Sequence, residues 1–201
     1  MKTEADPDAP STSLSAERLA SLSDGMFGVA MTLLVTTLIL PVQALTGSAV
    51  NVVHDLGRAL SPVVLSFAIS GVFWLAQQRQ LSMTRFITPL PTLLHFIFLF
   101  LIVLLPITTA LSNRGVETQW VVMIYGTHLA LLGLVNLLLW IEVRNVAPPG
   151  RIVGSSLMLV SLVAALAIGA VWPAAAQYFW YAGFVLPWIG RQLTRRFSKT
   201  Q

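Results

Sequence analysis

Long runs of apolar residues are the feature of this sequence that most constrains its fold. Of the 201 residues, 56% are hydrophobic and only 10% are charged, whereas a soluble domain has roughly 25% charged residues. Too few polar side chains remain to cover the surface of a water-soluble globule. Because a helix needs about 20 apolar residues to cross a bilayer, the runs predict membrane-spanning helices.

Charged residues, prolines and glycines divide the apolar sequence into six predicted spans. These are 16–41, 58–80, 89–112, 118–142, 152–172 and 174–191. The predicted fold class is therefore all-α, a polytopic membrane protein whose residues 16–191 form a single six-helix domain. Residues 1–15 are polar and acidic and are predicted to be a disordered cytoplasmic tail, and residues 192–201 a basic cytoplasmic tail.

The distribution of lysine and arginine predicts the orientation of these spans, because basic residues in short loops stay in the cytoplasm. One side of the predicted membrane holds only Arg58 and Arg114. The opposite side holds Lys2, Arg18, Arg79, Arg85, Arg144, Arg151, Arg191, Arg195, Arg196 and Lys199. We therefore expect both termini in the cytoplasm. A short chain with a single repeat and without an evident targeting signal suits a bacterial inner membrane. The net charge of +4 is interpreted as a topology signal, with no nucleic-acid partner.

The first span is more polar than a lipid-facing helix. Its sequence, RLASLSDGMFGVAMTLLVTTLILP at 18–41, contains Asp24, three threonines and two glycines. An ionisable residue at mid-membrane costs about 2.5–3.5 kcal/mol on insertion scales and usually faces protein or water. Asp24 is therefore expected to face away from lipid.

One stripe of the first span mixes small, hydroxyl-bearing and aliphatic residues. At 100° per residue it consists of Gly25, Val29, Thr32, Leu33, Thr36 and Leu40. Around a shared axis, several copies would present hydroxyl rings between aliphatic rings, a lining that passes small ions and gates by dewetting. Close packing between membrane helices explains the same spacing and is favoured by periodicity alone. Since no internal duplication is evident, a pore would need several copies of the chain.

The run RLASLSDGMFGVAMTLLV resembles a signature of the bacterial relatives of the endolysosomal (transmembrane protein 175-type) potassium channel. That signature is Arg-x-x-x-Phe-Ser-Asp followed by an apolar helix containing alanine and threonine. The matching positions are Arg18, Ser23, Asp24, Thr32 and Pro41. Weaker similarities are Trp74 at the end of the second span, Pro106 near the end of the third, and the number of spans.

The resemblance implies a tetrameric, potassium-permeable channel whose four first helices line a central pathway. It implies no potassium-channel pore loop, and the sequence contains no Thr-Val-Gly-Tyr-Gly. It places Val29, Leu33 and Thr36 at the constriction and Thr32 as a hydroxyl ring. The implied partners are potassium ions, the lipid bilayer and further copies of the chain, with no cofactor and no metal beyond transient potassium.

The sequence departs from the family pattern at positions around this helix. Leu22 replaces the usual Phe, Gln77 and Gln78 stand where His is expected, and His95 replaces the usual Asn. Thr36 stands where related chains have a larger aliphatic residue. The first four changes touch the polar cluster that the resemblance assigns to bracing the pore helix, formed here by Arg18, Ser23, Asp24, Trp74, Gln77 and His95.

Two interpretations of Ser23 and Asp24 remain open. Arg18 lies about 240° from Asp24 around a helix, so the two cannot pair locally. Our hypothesis is that Ser23 and Asp24 hold the first helix to the second and third spans, through Gln77 or His95, because buried polar groups in membranes need partners. The alternative is a simple interfacial cap, with Arg18 reaching lipid phosphate.

Other functional classes lack a supporting pattern. The three histidines lie on different segments without the i, i+4 spacing of a helical metal site, and no cysteine is present. A membrane-embedded enzyme would need a nucleophile with a positioned base, which the sequence does not offer. A secondary transporter, typically built from inverted repeats and broken helices, is the alternative to the channel.

Overall fold

The computed structural model describes residues 14–38, 49–84, 86–113, 119–148 and 150–172. Within them lie a pair of two-residue strands, β1 (Leu14–Ser15) and β2 (Phe86–Ile87), and five α-helices. The helices are α1 (Ala16–Thr36), α2 (Ala49–Leu81), α3 (Pro89–Asn113), α4 (Gln119–Glu142) and α5 (Gly150–Val171). The helical fold class is confirmed, with the strand pair as an addition that the sequence did not predict.

All five described helices are long and apolar enough to cross a membrane. In α2 the qualifying part is Ala59–Leu81, which agrees with the predicted second span. The first five predicted spans therefore coincide with helices of a multi-pass membrane protein. The predicted sixth span, 174–191, lies outside the described residues, as do residues 1–13 and the predicted tail at 192–201.

Two helix ends differ from the prediction. α1 ends at Thr36, before the predicted end at Pro41, because the N–H groups of Thr37 and Leu38 bond to carbonyls only three residues back. Such i→i−3 bonds tighten and close the last turn of a helix. α2 begins at Ala49, before the predicted start at residue 58, and continues through Pro62.

The start of α1 is tied to the segment that joins α2 and α3. β1 pairs antiparallel with β2, with Leu14 opposite Ile87 and Ser15 opposite Phe86. Ser15 also caps α1, since its side-chain oxygen accepts a hydrogen bond from the N–H of Arg18 at 3.4 Å. The last two residues of the predicted disordered tail are thus part of the fold.

The core forms where the helices pack, with α1 against α2 and α3, α3 against α4, and α4 against α5. Phe98 of α3 lies between Phe27 of α1 and Phe73 of α2, with ring centroids 6.3 Å and 5.6 Å away. These distances lie in the range of favourable aromatic pairs. At Gly133 of α4, an added Cβ would lie 3.1 Å from Leu162 of α5, so the glycine permits the close approach of these two helices.

Three buried hydroxyls join α2, α3 and α4. Ser66 Oγ lies 2.7 Å from Thr109 Oγ1 and 2.9 Å from Tyr125 Oη, and all three residues are buried. Interhelical hydrogen bonds replace water for polar groups inside a membrane protein. This cluster therefore fixes the register of three helices around the core.

Removing one hydroxyl from this cluster is expected to weaken the fold. Tyr125→Phe keeps the buried ring and loses the bond to Ser66, which should cost about 0.6 kcal/mol and at most about 2 kcal/mol. Thermal unfolding of the detergent-solubilised protein measures the loss. Thr127→Val, which removes an exposed hydroxyl from the same helix, is the control and should leave the unfolding temperature unchanged. Equal unfolding temperatures of the Tyr125→Phe and Thr127→Val variants would contradict a stabilising bond between Tyr125 and Ser66.

Candidate functional site

α1 has one buried and one exposed face. The buried face, which contains Ser23, Phe27, Ala30 and Leu34, packs into the core. The predicted stripe lies on the exposed side, where Val29 is 57% and Leu33 is 43% exposed, and where Gly25, Thr32 and Thr36 are exposed too. Leu40, the last residue of the stripe, lies outside the described residues. The described part of one chain therefore leaves this stripe uncovered.

The threonines of the stripe bond back to their own helix. Thr32 Oγ1 donates to the carbonyl of Val29 at 2.8 Å, and Thr36 Oγ1 donates to the carbonyl of Leu33 at 2.7 Å. Such bonds satisfy the hydroxyl proton inside an apolar helix and fix the side-chain rotamer. Both hydroxyl oxygens are thus held in place at the exposed face.

Ser23 on the buried face of α1 contacts the second and third helices through Gln77. Gln77 Nε2 donates to Ser23 Oγ at 3.0 Å and lies 3.2 Å from His95 Nδ1 of α3. Ser23 Oγ donates in turn to the carbonyl of Leu19 at 2.8 Å. The amide of one glutamine therefore links three helices.

Asp24 is held by two donors from α2. Trp74 Nε1 donates to Asp24 Oδ1 at 2.7 Å, and Gln78 Nε2 donates to the same oxygen. Trp74 and Gln78 lie one turn apart on one face of α2, so both reach a single carboxylate oxygen. The structure thus brings together side chains of the first three helices, and we call this group of contacts the lock: Ser23, Asp24, Trp74, Gln77, Gln78 and His95.

Other positions named from the sequence lie outside these contacts. The side chain of Arg18 is exposed, and its backbone N–H is the group that Ser15 caps. Leu22, where the family pattern has Phe, is 43% exposed on the outer side of α1. Gln78 was noted in the sequence only as a departure, yet its amide contacts Asp24. Both glutamines that replace histidine therefore supply donors to α1.

A second polar network joins α2, α4 and α5. Gln80 Nε2 lies 3.2 Å from both the backbone and the side-chain oxygen of Asn136 on α4, and Asn136 Nδ2 donates to Ser155 Oγ of α5 at 3.1 Å. The signal in the sequence was a third glutamine one turn beyond Gln77, in the polar stretch 77–80 near the end of α2. His128 of α4 hydrogen-bonds to α3, with Thr108 Oγ1 and the carbonyl of Leu101 as its partners.

Part of the chain matches the sequence model of a known family. Residues 18–106, which include α1, α2 and most of α3, match the sequence model of the endosomal/lysosomal potassium channel TMEM175. The match confirms the resemblance to the TMEM175 family. The matched range includes every residue that contacts Ser23 or Asp24 from α2 and α3, and the stripe of α1. No curated protein is significantly similar to the chain in sequence.

The fold agrees with a solved TMEM175 homologue. The crystal structure of a lysosomal potassium-selective channel TMEM175 homolog from Chamaesiphon Minutus superposes with a TM-score of 0.70. The superposition covers 88% of this chain and 96% of the homologue at 20% sequence identity. At this identity the comparison establishes that the two chains share a fold.

Proposed function

We propose that the chain is a potassium-permeable cation channel in which four copies of α1 surround a central pathway. The match of residues 18–106 to a potassium-channel family supports this function. The observation that carries the pathway is the stripe of Val29, Thr32, Leu33 and Thr36, which is exposed on one side of a helix whose other side is packed. In a tetramer these four residues face the shared axis.

The stripe suits ion passage because aliphatic and hydroxyl layers alternate along it. Val29 and Leu33 form narrow apolar rings that impede permeation when water leaves them. Thr32 and Thr36 place oxygens beside those rings, and the hydroxyls remain fixed by their bonds to the helix backbone. The apolar rings act as the gate, and the hydroxyl rings receive ions.

The contacts of Ser23 and Asp24 hold α1 in position for this role. Gln77 and His95 fix the buried side of the helix, and Trp74 and Gln78 fix Asp24. Because these contacts lie toward the N-terminal end of α1, the half of the helix with Leu33 and Thr36 is free of them. We propose that this lock sets the radius of the pathway, with Arg18 at the membrane surface.

The proposal includes the remaining topology. Residues 174–191 form a sixth span, so that residues 16–191 make one membrane domain with both termini in the cytoplasm of a bacterial inner membrane. The excess of basic residues on one side of the spans supports this orientation. The channel uses no enzymatic chemistry and no cofactor.

Currents of the purified wild-type protein in planar bilayers test the function. We expect unitary currents in symmetrical potassium solutions. When sodium replaces potassium on one side, the reversal potential should have the sign that a higher permeability to potassium than to sodium produces. Flux that appears only with a coupled ion gradient, without unitary currents, would identify a secondary transporter and contradict the proposal.

Native mass spectrometry tests the assembly separately. The expected species contains four chains, each of 21.9 kDa. A monomer that still conducts would place the pathway inside one chain and remove α1 from a shared axis.

A further inference from the structure

Thr36 is the last described residue of the stripe, and its hydroxyl has a fixed orientation. The side chain is exposed, and Oγ1 donates its proton to the carbonyl of Leu33 at 2.7 Å. A hydroxyl has one proton and two lone pairs. With the proton directed to the helix backbone, only oxygen lone pairs remain for anything that contacts Thr36 from outside.

Thr32 repeats this arrangement one turn earlier. Its Oγ1 donates to the carbonyl of Val29 at 2.8 Å, and its side chain is exposed as well. Four residues of α-helix rise by about 6 Å, so the two oxygens lie about 6 Å apart along the helix axis. Leu33 lies between them, which makes an aliphatic layer bounded on both sides by oxygen acceptors.

We infer that Thr36 is a specificity-determining residue, a second ring of oxygen acceptors that contacts a partly dehydrated monovalent cation and offers no donor to an anion. This inference rests on the proposed function, since it needs the stripe to face the ion pathway. Oxygen lone pairs replace part of the hydration shell of a cation. An aliphatic residue at this position would instead extend the dewetted stretch beyond Leu33.

The test compares substitutions that separate the hydroxyl from its shape. Thr36→Val keeps the β-branched shape and removes the oxygen, so the unitary potassium conductance should fall at least about fivefold, the factor that about 1 kcal/mol of added barrier produces. Thr36→Ser keeps the hydroxyl and its bond to the helix. Its unitary potassium conductance should stay within about twofold of that of the wild type. Thr36→Ala, smaller but without oxygen, should conduct less than Thr36→Ser.

Thr37 provides a matched control. Its Oγ1 makes the same type of bond, to the carbonyl of Leu34 at 2.7 Å, but the residue is buried on the opposite face. Thr37→Val should therefore leave the unitary conductance unchanged.

The possible outcomes separate this inference from the proposed function. If wild type conducts potassium and Thr36→Val conducts equally, the inference is overturned and the channel stands. Equal losses in the Val and Ser variants, or an equal loss in Thr37→Val, would also overturn it, because shape or folding would then explain the effect. A wild-type protein without potassium current would overturn the proposed function itself.

Discussion

Leu33→Asn is expected to raise the macroscopic potassium current of the reconstituted protein more than tenfold. Leu33 is an exposed aliphatic residue between two hydroxyl layers of α1, and in the proposed tetramer it forms the narrow apolar ring. A polar ring keeps water in the constriction and removes the dewetting barrier. Lowering a barrier by about 1.4 kcal/mol is enough for a tenfold increase. Macroscopic current per reconstituted protein measures the change.

Val35 offers the matched control for this substitution. It is an aliphatic residue of the same helix, 64% exposed, and about 200° around the helix from Leu33. Val35→Asn adds the same polar group away from the stripe and should leave the current close to wild type. If both variants raise the current alike, or if Leu33→Asn leaves it unchanged, Leu33 does not form the gate.

Asp24→Ala is expected to destabilise the protein by about 2 kcal/mol, because it leaves two donors without their acceptor and a lost hydrogen bond costs about 1 kcal/mol. The donors are Trp74 Nε1 and Gln78 Nε2, which meet at one carboxylate oxygen. Since this lock holds the pore helix in the proposal, the current should fall together with the thermal stability. Thermal unfolding in detergent and bilayer current are the two measurements.

Asp24→Asn separates the charge from the geometry. The amide keeps one oxygen that accepts from Trp74 and Gln78, so this variant should lose less stability than Asp24→Ala. The Gln78→Leu variant, which removes one of the donors, should lose less than Asp24→Ala too. If Asp24→Ala is as stable and as conductive as wild type, the carboxylate does not brace α1.

The spans were predictable because bilayer thickness imposes a length on every apolar run. α3 and α4 begin and end within a residue or so of their predicted limits, since charged and proline residues bound them. The end of α1 was not predictable from Pro41, because backbone i→i−3 bonds of Thr37 and Leu38 close the helix after Thr36. The pairing of β1 with β2 joins segments far apart in the chain, which local patterns do not report.

The stripe and the lock were predictable to different degrees. Helical periodicity was enough to place Val29, Thr32, Leu33 and Thr36 on one face of α1. The resemblance was needed to join Ser23 to residues of α2 and α3. It did not reveal that Gln78 contacts Asp24, or that Gln80 reaches Asn136 and Ser155, because interhelical hydrogen bonds depend on how helices pack.

Accessibility of single cysteines to silver ions tests most directly whether α1 lines the ion path. The chain contains no cysteine, so each introduced thiol is the only one present. Two variants, Val29→Cys and Thr32→Cys, place the thiol on the stripe. Two controls place it elsewhere: Val35→Cys on another side of α1, and Phe100→Cys on α3, where the wild-type side chain is 61% exposed. We predict that silver ions block the potassium current of the first two variants and spare the other two and wild type. Block of Phe100→Cys with unaltered current in Val29→Cys and Thr32→Cys would contradict a pathway lined by α1.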